Sequence, residues 1–179
     1  QNSGDTSITG STFVDNTALG SGGAVFVPTL DHVLTITSST FDSNRSDNGA
    51  GGGYGGALGV DSLEADGVLT VDSSTFTNNF VNQGTLPVGG GVSIGVASLL
   101  DGGVARVINS TFFEEQTGGP GAIFIDETQD GGTLELLYST LVSSVGVRLG
   151  SNDGSATVSS TIVDGDVLGA EQACDHSLR

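Results

Sequence analysis

Short stretches in which apolar and polar residues alternate recur along the chain and are separated by turn residues. One series reads Leu34-x-Ile36, Leu69-x-Val71, Ala105-x-Val107, Leu134-x-Leu136 and, after a one-residue slip, Ala156-x-Val158. An alternation of period two predicts short strands with one apolar face. No stretch shows a capped 3.6-residue period, so the pattern does not require helices.

A Ser-Thr pair followed by a large apolar residue lies just downstream of this series. It occurs six times, at spacings of about 21 to 36 residues, which indicates an internal repeat. The copies are Ser11-Thr12-Phe13, Ser39-Thr40-Phe41, Ser74-Thr75-Phe76, Ser110-Thr111-Phe112, Ser139-Thr140-Leu141 and Ser160-Thr161-Ile162.

A third alternating series completes each repeat, usually after a run of glycines. It reads Val25-x-Val27, Leu58-x-Val60, Val92-x-Ile94, Ile123-x-Ile125 and Val147-x-Leu149. An aspartate turn then leads into the next repeat, and Asp-Gly suits the positive φ of a sharp corner. These turns are Asp31, Asp66-Gly67, Asp101-Gly102, Asp130-Gly131 and Asp153-Gly154.

Three in-phase series predict an all-β parallel β-helix, a solenoid with three short parallel sheets. An antiparallel sandwich gives no reason for one tripeptide to recur at the same place in every cycle. In stacked parallel coils, equivalent residues lie about 4.7–4.9 Å apart. We expect five full coils and a partial one over residues 1–168, with a tail at 169–179. The four Phe residues of the tripeptides then form an internal stack that continues through Leu141 and Ile162.

Two further motifs resemble a known group of repeats. Phe13-x-x-Asn16, Phe41-x-x-Asn44 and Phe76-x-x-Asn79 resemble the FxxN element of polymorphic outer-membrane protein repeats. Gly22-Gly23-Ala24-Val25 and Gly55-Gly56-Ala57-Leu58 resemble their GGA[ILV] element. The wider resemblance is to secreted and surface β-helix proteins of the pectin-lyase-like superfamily. It implies a right-handed β-helix, export, and a passenger, adhesin or structural role. The later repeats depart from it, since Glu115 and Ser144 stand where asparagine is expected.

The charge of the chain limits its partners. Its 179 residues include 21 acidic residues, four arginines and no lysine, for a net charge of −17. Nucleic acids and anionic membranes need a basic face, so neither is an expected partner. No apolar run is long enough to span a bilayer. The composition fits an extracellular or cell-surface protein.

Several residue columns are candidates for chemistry, and each also has a structural interpretation. One column consists of threonines that are expected to point outward. They could form an ice-binding or glycan-bearing face, or they could be present only because threonine favours strands. They are Thr12, Thr40, Thr75, Thr111, Thr140 and Thr161. However, Thr35-x-Thr37 is followed by Thr70-x-Asp72, Arg106-x-Ile108 and Glu135-x-Leu137, which is no regular lattice. The turn aspartates could bind Ca²⁺ through their carboxylates, or they could only form solvent-exposed turns.

Arg106 and Glu135 are expected at equivalent positions of adjacent coils, with Asp72 nearby. They form either the charged centre of a polysaccharide lyase or an exposed ion pair. Because the chain is strongly acidic, an anionic polymer would be repelled. His32 and His176 have no ligand spacing around them. No catalytic, cofactor-binding or metal-binding residue is therefore assigned.

The remaining candidates concern modification and contact. Asn44 and Asn109 begin N-glycosylation sequons. Phe26 and Phe124 are expected to point outward from the third series, as a lateral contact surface, unless the loop 47–54 covers Phe26. Cys174 is the single cysteine, so it cannot form an internal disulfide and is a candidate for an intermolecular one.

The sequence thus favours a non-enzymatic extracellular structural or adhesive β-helix. Its partners would be copies of itself, through end-to-end or lateral assembly, or surface glycans. It would be a self-assembling fibre subunit or a segment of a larger surface passenger. One alternative is a polysaccharide-binding or polysaccharide-cleaving protein; another is an ice-binding or Ca²⁺-binding module.

Overall fold

The computed structural model describes residues 4–47, 54–82, 94–113, 122–129, 131–152 and 154–168. These residues form nineteen β-strands and no helix, which confirms the all-β prediction. In chain order the strands are β1 (Thr6–Thr9), β2 (Thr12–Val14), β3 (Thr17–Ala18), β4 (Val25–Leu30), β5 (Val33–Thr37), β6 (Thr40–Asp42), β7 (Arg45–Asp47), β8 (Leu58–Leu63), β9 (Val68–Asp72), β10 (Thr75–Thr77), β11 (Phe80–Asn82), β12 (Ile94–Leu99), β13 (Val104–Ile108), β14 (Thr111–Phe113), β15 (Ile123–Thr128), β16 (Thr133–Leu137), β17 (Thr140–Asn152), β18 (Ser155–Ser159) and β19 (Ile162–Leu168).

All strand pairs among these residues are parallel, and they form three sheets. The first sheet has the order β1-β5-β9-β13-β16-β18. The central sheet has the order β2-β6-β10-β14-β17-β15-β12-β8-β4, with β19 paired to β17. The short sheet has the order β11-β7-β3. Successive strands of each sheet come from successive sequence repeats.

The first sheet has the register that the alternating series predicts. Leu34 pairs with Leu69, Ala105 with Leu134, and Leu134 with Ala156. The side chains of Leu34, Leu69 and Leu134 are buried. Like residues therefore lie over like residues along the inner face of this sheet.

One half of the central sheet holds the predicted phenylalanine stack. This half, the Thr-Phe half, comprises β2, β6, β10, β14 and the start of β17. The ring centroids of successive Phe residues lie 4.7 to 4.8 Å apart, with interplanar angles of 1° to 9°. Leu141 continues the column beside Phe112, as predicted.

The last repeat differs from the predicted stack. Thr140 pairs with Ile162 and Leu141 with Val163, so the sequence alignment there was wrong by one residue. Ile162 is 66% exposed, although we expected it inside. Thr161 likewise lies outside the outward threonine column, because its hydroxyl takes the inward place that serine has in the other repeats.

The other half of the central sheet, the glycine half, comprises β4, β8, β12, β15 and the end of β17. Val25 pairs with Leu58, Leu58 with Ile94, and Ile94 with Ile123. The predicted series Val92-x-Ile94 was therefore displaced by two residues, and Ile94-x-Val96 takes its place. The second and third series also belong to one sheet rather than two, because β17 runs through both halves.

The third sheet was not predicted from the sequence. Its strands β3, β7 and β11 hold two or three residues each, many of them polar. The Arg45 guanidinium lies 5.6 Å from the ring centroid of Phe80 and 3.1 Å from the Asp47 carboxylate. The chain therefore passes through the first sheet, the Thr-Phe half, the short sheet and the glycine half in turn.

Buried polar ladders connect the repeats beside the aromatic stack. Ser11, Ser39, Ser74 and Ser110 each donate their N–H to the Oγ of the next serine in the column, at 3.1 to 3.2 Å. Each of these hydroxyls donates to the carbonyl two residues before it. Ser139 ends the series by donating its N–H to Thr161 Oγ1 at 3.4 Å.

An asparagine ladder lies at the next corner. The N–H and Nδ2 of Asn16 donate to Asn44 Oδ1, at 3.1 and 2.8 Å. The same groups of Asn44 donate to Asn79 Oδ1, at 3.1 and 3.0 Å. Asn44 and Asn79 are fully buried. Glu115 and the side chain of Ser144, which were expected to interrupt this column, lie outside the described residues.

Left-handed residues form the corners that precede both ladders. Among the described residues, eight non-glycine residues have φ between 48° and 58°. They are Asp15, Ser38, Ser43, Ser73, Asn78, Asn109, Tyr138 and Ser160. Serine, asparagine and aspartate fit this role, because their short polar side chains tolerate left-handed backbone better than most residues.

Candidate functional site

The outward face of the glycine half carries the aromatic residues that the sequence singled out. Register places Phe26, Gly59, Gly95, Phe124 and Arg148 in one column. Because the third series was displaced by two residues, Gly95 stands in this column instead of Ser93, the middle residue of Val92-x-Ile94. Phe26 is 46% exposed, while Phe124 is half-buried.

Tyr54 lies across the middle of this column. Its carbonyl accepts the N–H of Gly22 at 2.8 Å, and its own N–H donates to Ser21 Oγ at 3.2 Å. A Cβ atom on Gly95 would lie 2.3 Å from Gly55 N and 2.9 Å from the Tyr54 carbonyl carbon. Glycine at position 95 is therefore what lets this segment sit against the sheet.

The Tyr54 side chain reaches Phe124 and Asp126. Its ring is stacked on that of Phe124, with centroids 6.2 Å apart and an interplanar angle of 14°. The Tyr54 hydroxyl donates to Asp126 Oδ2 at 2.9 Å. On the far side of Phe124, the Arg148 guanidinium lies 5.9 Å from its ring centroid. Phe124 thus lies between a phenol and a guanidinium.

Burial and neighbouring carboxylates keep the phenol protonated. Desolvation and the hydrogen bond to Asp126, together with the charges of Asp126 and Asp61, raise the pKa of Tyr54 from 10.0 to about 12. The neutral phenol is the form that can donate to Asp126. It keeps one carboxylate oxygen of Asp126 in place and leaves the other as an acceptor.

Asp61 extends the acidic side of this face. Its Oδ1 accepts from the Ser21 hydroxyl at 3.3 Å. Asp61 and Asp126 follow Val60 and Ile125, which occupy one column two strands apart. The backbone positions of the two aspartates are therefore about 10 Å apart along the stack. We call Phe26, Tyr54, Asp61, Phe124, Asp126 and Arg148 together the Tyr54 face.

The sequence identified only part of this face. Phe26 and Phe124 were expected to point outward, but Tyr54, Asp61 and Asp126 were missed. Whether the loop 47–54 covers Phe26 was left open; its last residue, Tyr54, packs on Phe124, and residues 48–53 lie outside the described part. Glycines at outward strand positions were the available signal, because they mark places where another segment approaches closely.

Arg106 and Glu135 are paired as the sequence predicted. They occupy adjacent strands of the first sheet, and Arg106 Nε donates to Glu135 Oε2. On its other side, Arg106 faces Thr70, while Asp72 faces Ile108. Asp72 accepts a hydrogen bond from Asn109 at 3.2 Å. His32 contacts Asp31 at 3.0 Å, and His176 lies outside the described residues.

The two sequons have different environments. Asn44 is fully buried, and its Nδ2 donates to Phe13 O and Asn79 Oδ1. Its amide is therefore inaccessible in the folded chain. Asn109 is exposed, so it remains a candidate for glycosylation. Cys174 lies outside the described residues.

Among the described residues, the turn aspartates Asp66 and Asp101 do not occupy equivalent positions of the register. Val68 pairs with Val104, which places Asp66 beside Gly102 and Ala65 beside Asp101. The predicted alignment was wrong by one residue here, and Asp130 and Asp153 lie outside the described residues. Among the residues described, no group of three potential ligands is placed to hold a metal ion.

Among the described residues, the first-repeat strands β1, β2 and β4 are each paired on one side only. A cavity of about 580 Å³ lies between β1 and β4 and is lined by apolar residues that include Ile8, Val25 and Leu34. Within the described ranges, no helix is long and apolar enough to cross a membrane.

No family model, curated protein or solved structure matches the chain. The resemblance to outer-membrane protein repeats therefore stays a prediction.

Proposed function

We propose that the chain is a right-handed parallel β-helix of five to six coils, related in design to surface repeat proteins. The parallel register, which pairs like residues of successive repeats in three sheets, supports this architecture. So do the serine and asparagine ladders, which join equivalent corners of neighbouring repeats.

We further propose that this β-helix is a non-enzymatic structural or adhesive protein at the cell surface or outside the cell. The observation that carries this proposal is how the polar side chains are used. The inward serines and asparagines are committed to the scaffold, while aromatic and acidic side chains are presented on a rigid outer face. The absence of lysine and the net charge of −17 are consistent with an extracellular setting.

Self-assembly is one form this function would take, with a second copy covering the open cavity. Pro28 on edge strand β4 lacks the N–H that strand addition needs, so pairing would proceed through β1 and β2. Gly10 donates its N–H to Thr37 O, at 3.0 Å. Because donors alternate along a strand, the Ser7 N–H faces the open edge.

Electron microscopy of the purified chain tests this proposal. We expect fibres with an axial repeat of about 25–30 Å, six coils of about 4.8 Å each. Ser7→Pro removes an edge donor without breaking an internal hydrogen bond, so it should abolish the fibres, while Ser7→Ala should retain them. Fibres that persist in the Ser7→Pro variant would show that assembly does not proceed through the β1 edge. A chain that stays monomeric and is not retained on any cell surface or polymer would contradict the function as a whole.

A further inference from the structure

We propose that the first-repeat edge of the stack binds the last-repeat edge of a second copy, so that copies add head to tail in one direction. The first-repeat edge is formed by β1, β2 and the residues between them, and the last-repeat edge by β18, β19 and the residues between them. This inference rests on the proposed self-assembly and names the surface with which β1 and β2 would pair. The observation that carries it is the direction of the hydrogen-bond ladders.

Both edges expose the end of the same apolar column. Ile8 pairs with Ile36 at one end of the first sheet, and Leu136 pairs with Val158 at the other. Ile36 is fully buried, whereas Ile8 and Val158 are only partly buried. In a head-to-tail contact, Val158 would lie over Ile8 of the next copy and the column would continue. The burial of these aliphatic side chains would stabilise the contact.

The serine ladder beside this column runs in one direction. The N–H of each ladder residue donates to the hydroxyl of the following repeat, from Ser11 to Ser39 at the start and from Ser139 to Thr161 at the end. Among the described residues, Ser11 Oγ therefore receives no N–H and the Thr161 N–H reaches no acceptor. The unused acceptor belongs to the first-repeat edge and the unused donor to the last-repeat edge.

A second ladder, at the left-handed corners, has the same direction. The Tyr138 N–H donates to Ser159 O of the last repeat at 3.1 Å. Ser160 is the next left-handed residue, and in the described part of the chain no later repeat accepts its N–H. Thr9 O begins the column that Ser159 O ends, and the Ser11 hydroxyl donates to it. No earlier repeat among the described residues supplies the corner N–H that the other carbonyls of this column accept.

The donors of one edge match the acceptors of the other. In a head-to-tail contact, the Thr161 N–H would donate to Ser11 Oγ of the next copy. The Ser160 N–H would donate to Thr9 O in the same way. Both bonds would repeat the geometry found within the stack.

A pair of copies joined through their first-repeat edges lacks this match. The acceptors Thr9 O and Ser11 Oγ would face the same acceptors of the other copy, and leaving polar groups unpaired in a contact costs free energy. Such a pair would also bring the strands together antiparallel, although β1 and β2 pair in parallel with their neighbours. The last-repeat edge is therefore the surface that fits.

Cysteine cross-linking of the whole chain tests this polarity. Ser7 and Thr157 begin and end one outward column, so a head-to-tail contact places them on adjacent strands, about 4.7–4.9 Å apart. Each is replaced by cysteine in a Cys174→Ser background, and the proteins are treated with a short bis-thiol reagent. We expect heterodimers in the mixture of Ser7→Cys and Thr157→Cys, identified by intact mass, and no dimer of either variant alone. The double variant should form a ladder of longer products.

Thr70→Cys is the matched control for the cross-linking. Thr70 lies in the same outward column as Ser7 and Thr157, but in the middle of the stack. A cysteine at this position should cross-link with neither edge variant and not with itself.

A second pair of variants tests the serine ladder. Ser11→Ala removes the unused acceptor and should raise the concentration needed for fibre formation several-fold. Thr12→Ala removes the neighbouring exposed hydroxyl, which lies outside the ladder, and should leave that concentration unchanged. Circular dichroism and melting temperature confirm that each variant is folded. Equal effects of the two substitutions would contradict the role given to the ladder.

Three cross-linking results would overturn the inference while the copies still assemble. They are dimers of Ser7→Cys alone, which show a first-to-first pair; linkage through Thr70→Cys, which shows a lateral contact; and fibres without any heterodimer in the mixture. The proposed structural function survives each of them. A chain that neither cross-links nor forms fibres also contradicts the inference, and its retention on a cell surface or polymer then decides whether the proposed function fails as well.

Discussion

At the scale of single residues, the corners hold a backbone conformation that most side chains disfavour. Tyr138 has φ 51° and is 63% exposed, so its ring gains little from packing while its backbone is strained. Left-handed backbone costs roughly 1–2 kcal/mol for a typical residue and less for asparagine. We expect Tyr138→Asn to raise the free energy of unfolding by about 0.5–1 kcal/mol in urea titrations.

The control for this prediction is Tyr138→Val. A β-branched residue fits positive φ worse than tyrosine does, so this variant should be less stable than the wild type. If Asn and Val have equal effects, the corner conformation does not limit stability at this position.

The errors of the sequence analysis at this scale were errors of one or two residues. The stretch 159–162 offers two ways to align Ser, Thr and an apolar residue with the earlier repeats, and its pattern alone does not choose. The fold selects the alignment in which the Thr161 hydroxyl donates to Ser159 O and accepts from Ser139 N. A threonine hydroxyl can replace serine in that role, and Ile162 then turns outward.

At the scale of the repeated elements, the asparagine ladder should contribute far more to stability than exposed asparagines do. Asn44→Ser removes the acceptor for two groups of Asn16 and the donors to Phe13 O and Asn79 Oδ1. Leaving buried polar groups unpaired costs about 1–3 kcal/mol each. We expect Asn44→Ser to lower the free energy of unfolding by about 3 kcal/mol.

Asn109→Ser is the matched control. Serine occupies the equivalent corner at Ser38 and Ser73, and Asn109 is exposed, so the change should stay within about 0.5 kcal/mol. Equal losses from the two substitutions, measured by urea unfolding, would show that the buried ladder adds nothing specific. Both substitutions remove a sequon, so the comparison holds in any expression host.

The sequence predicted the longer elements and missed the shortest. Strands β5, β9, β13 and β16 alternate over five residues, which is enough for a period to be recognised. Strand β7 is Arg45-Ser46-Asp47, and nothing in three polar residues indicates a strand. It exists because the stacked neighbours β3 and β11 supply its hydrogen bonds. Tertiary context, rather than local propensity, decides such an element.

At the scale of the whole molecule, Tyr54 links parts of the chain that are distant in sequence. Its hydroxyl and Asp126 are 72 residues apart, and its backbone bonds to Ser21 and Gly22. The periodicity of the sequence predicts which residues of successive repeats lie over one another. It does not predict where a connecting segment such as the one that holds Tyr54 crosses the sheet. The aromatic column was therefore predictable at Phe26 and Phe124, and the Tyr54 contact was not.

This link should make stability depend on pH in the alkaline range. The folded pKa of Tyr54, about 12, lies above the ordinary value of 10.0, so folding favours the protonated phenol. Its contribution is fully present below pH 10 and is lost as pH rises from 10 to about 12. In the Tyr138→Phe background, phenolate absorbance should titrate near 12 in the folded chain and near 10 in urea. The stability advantage over the Tyr54→Phe variant should shrink across the same interval, because that variant has no proton to lose. A folded phenol that titrates near 10, or an advantage constant up to pH 12, would show that Tyr54 does not donate to Asp126 in solution.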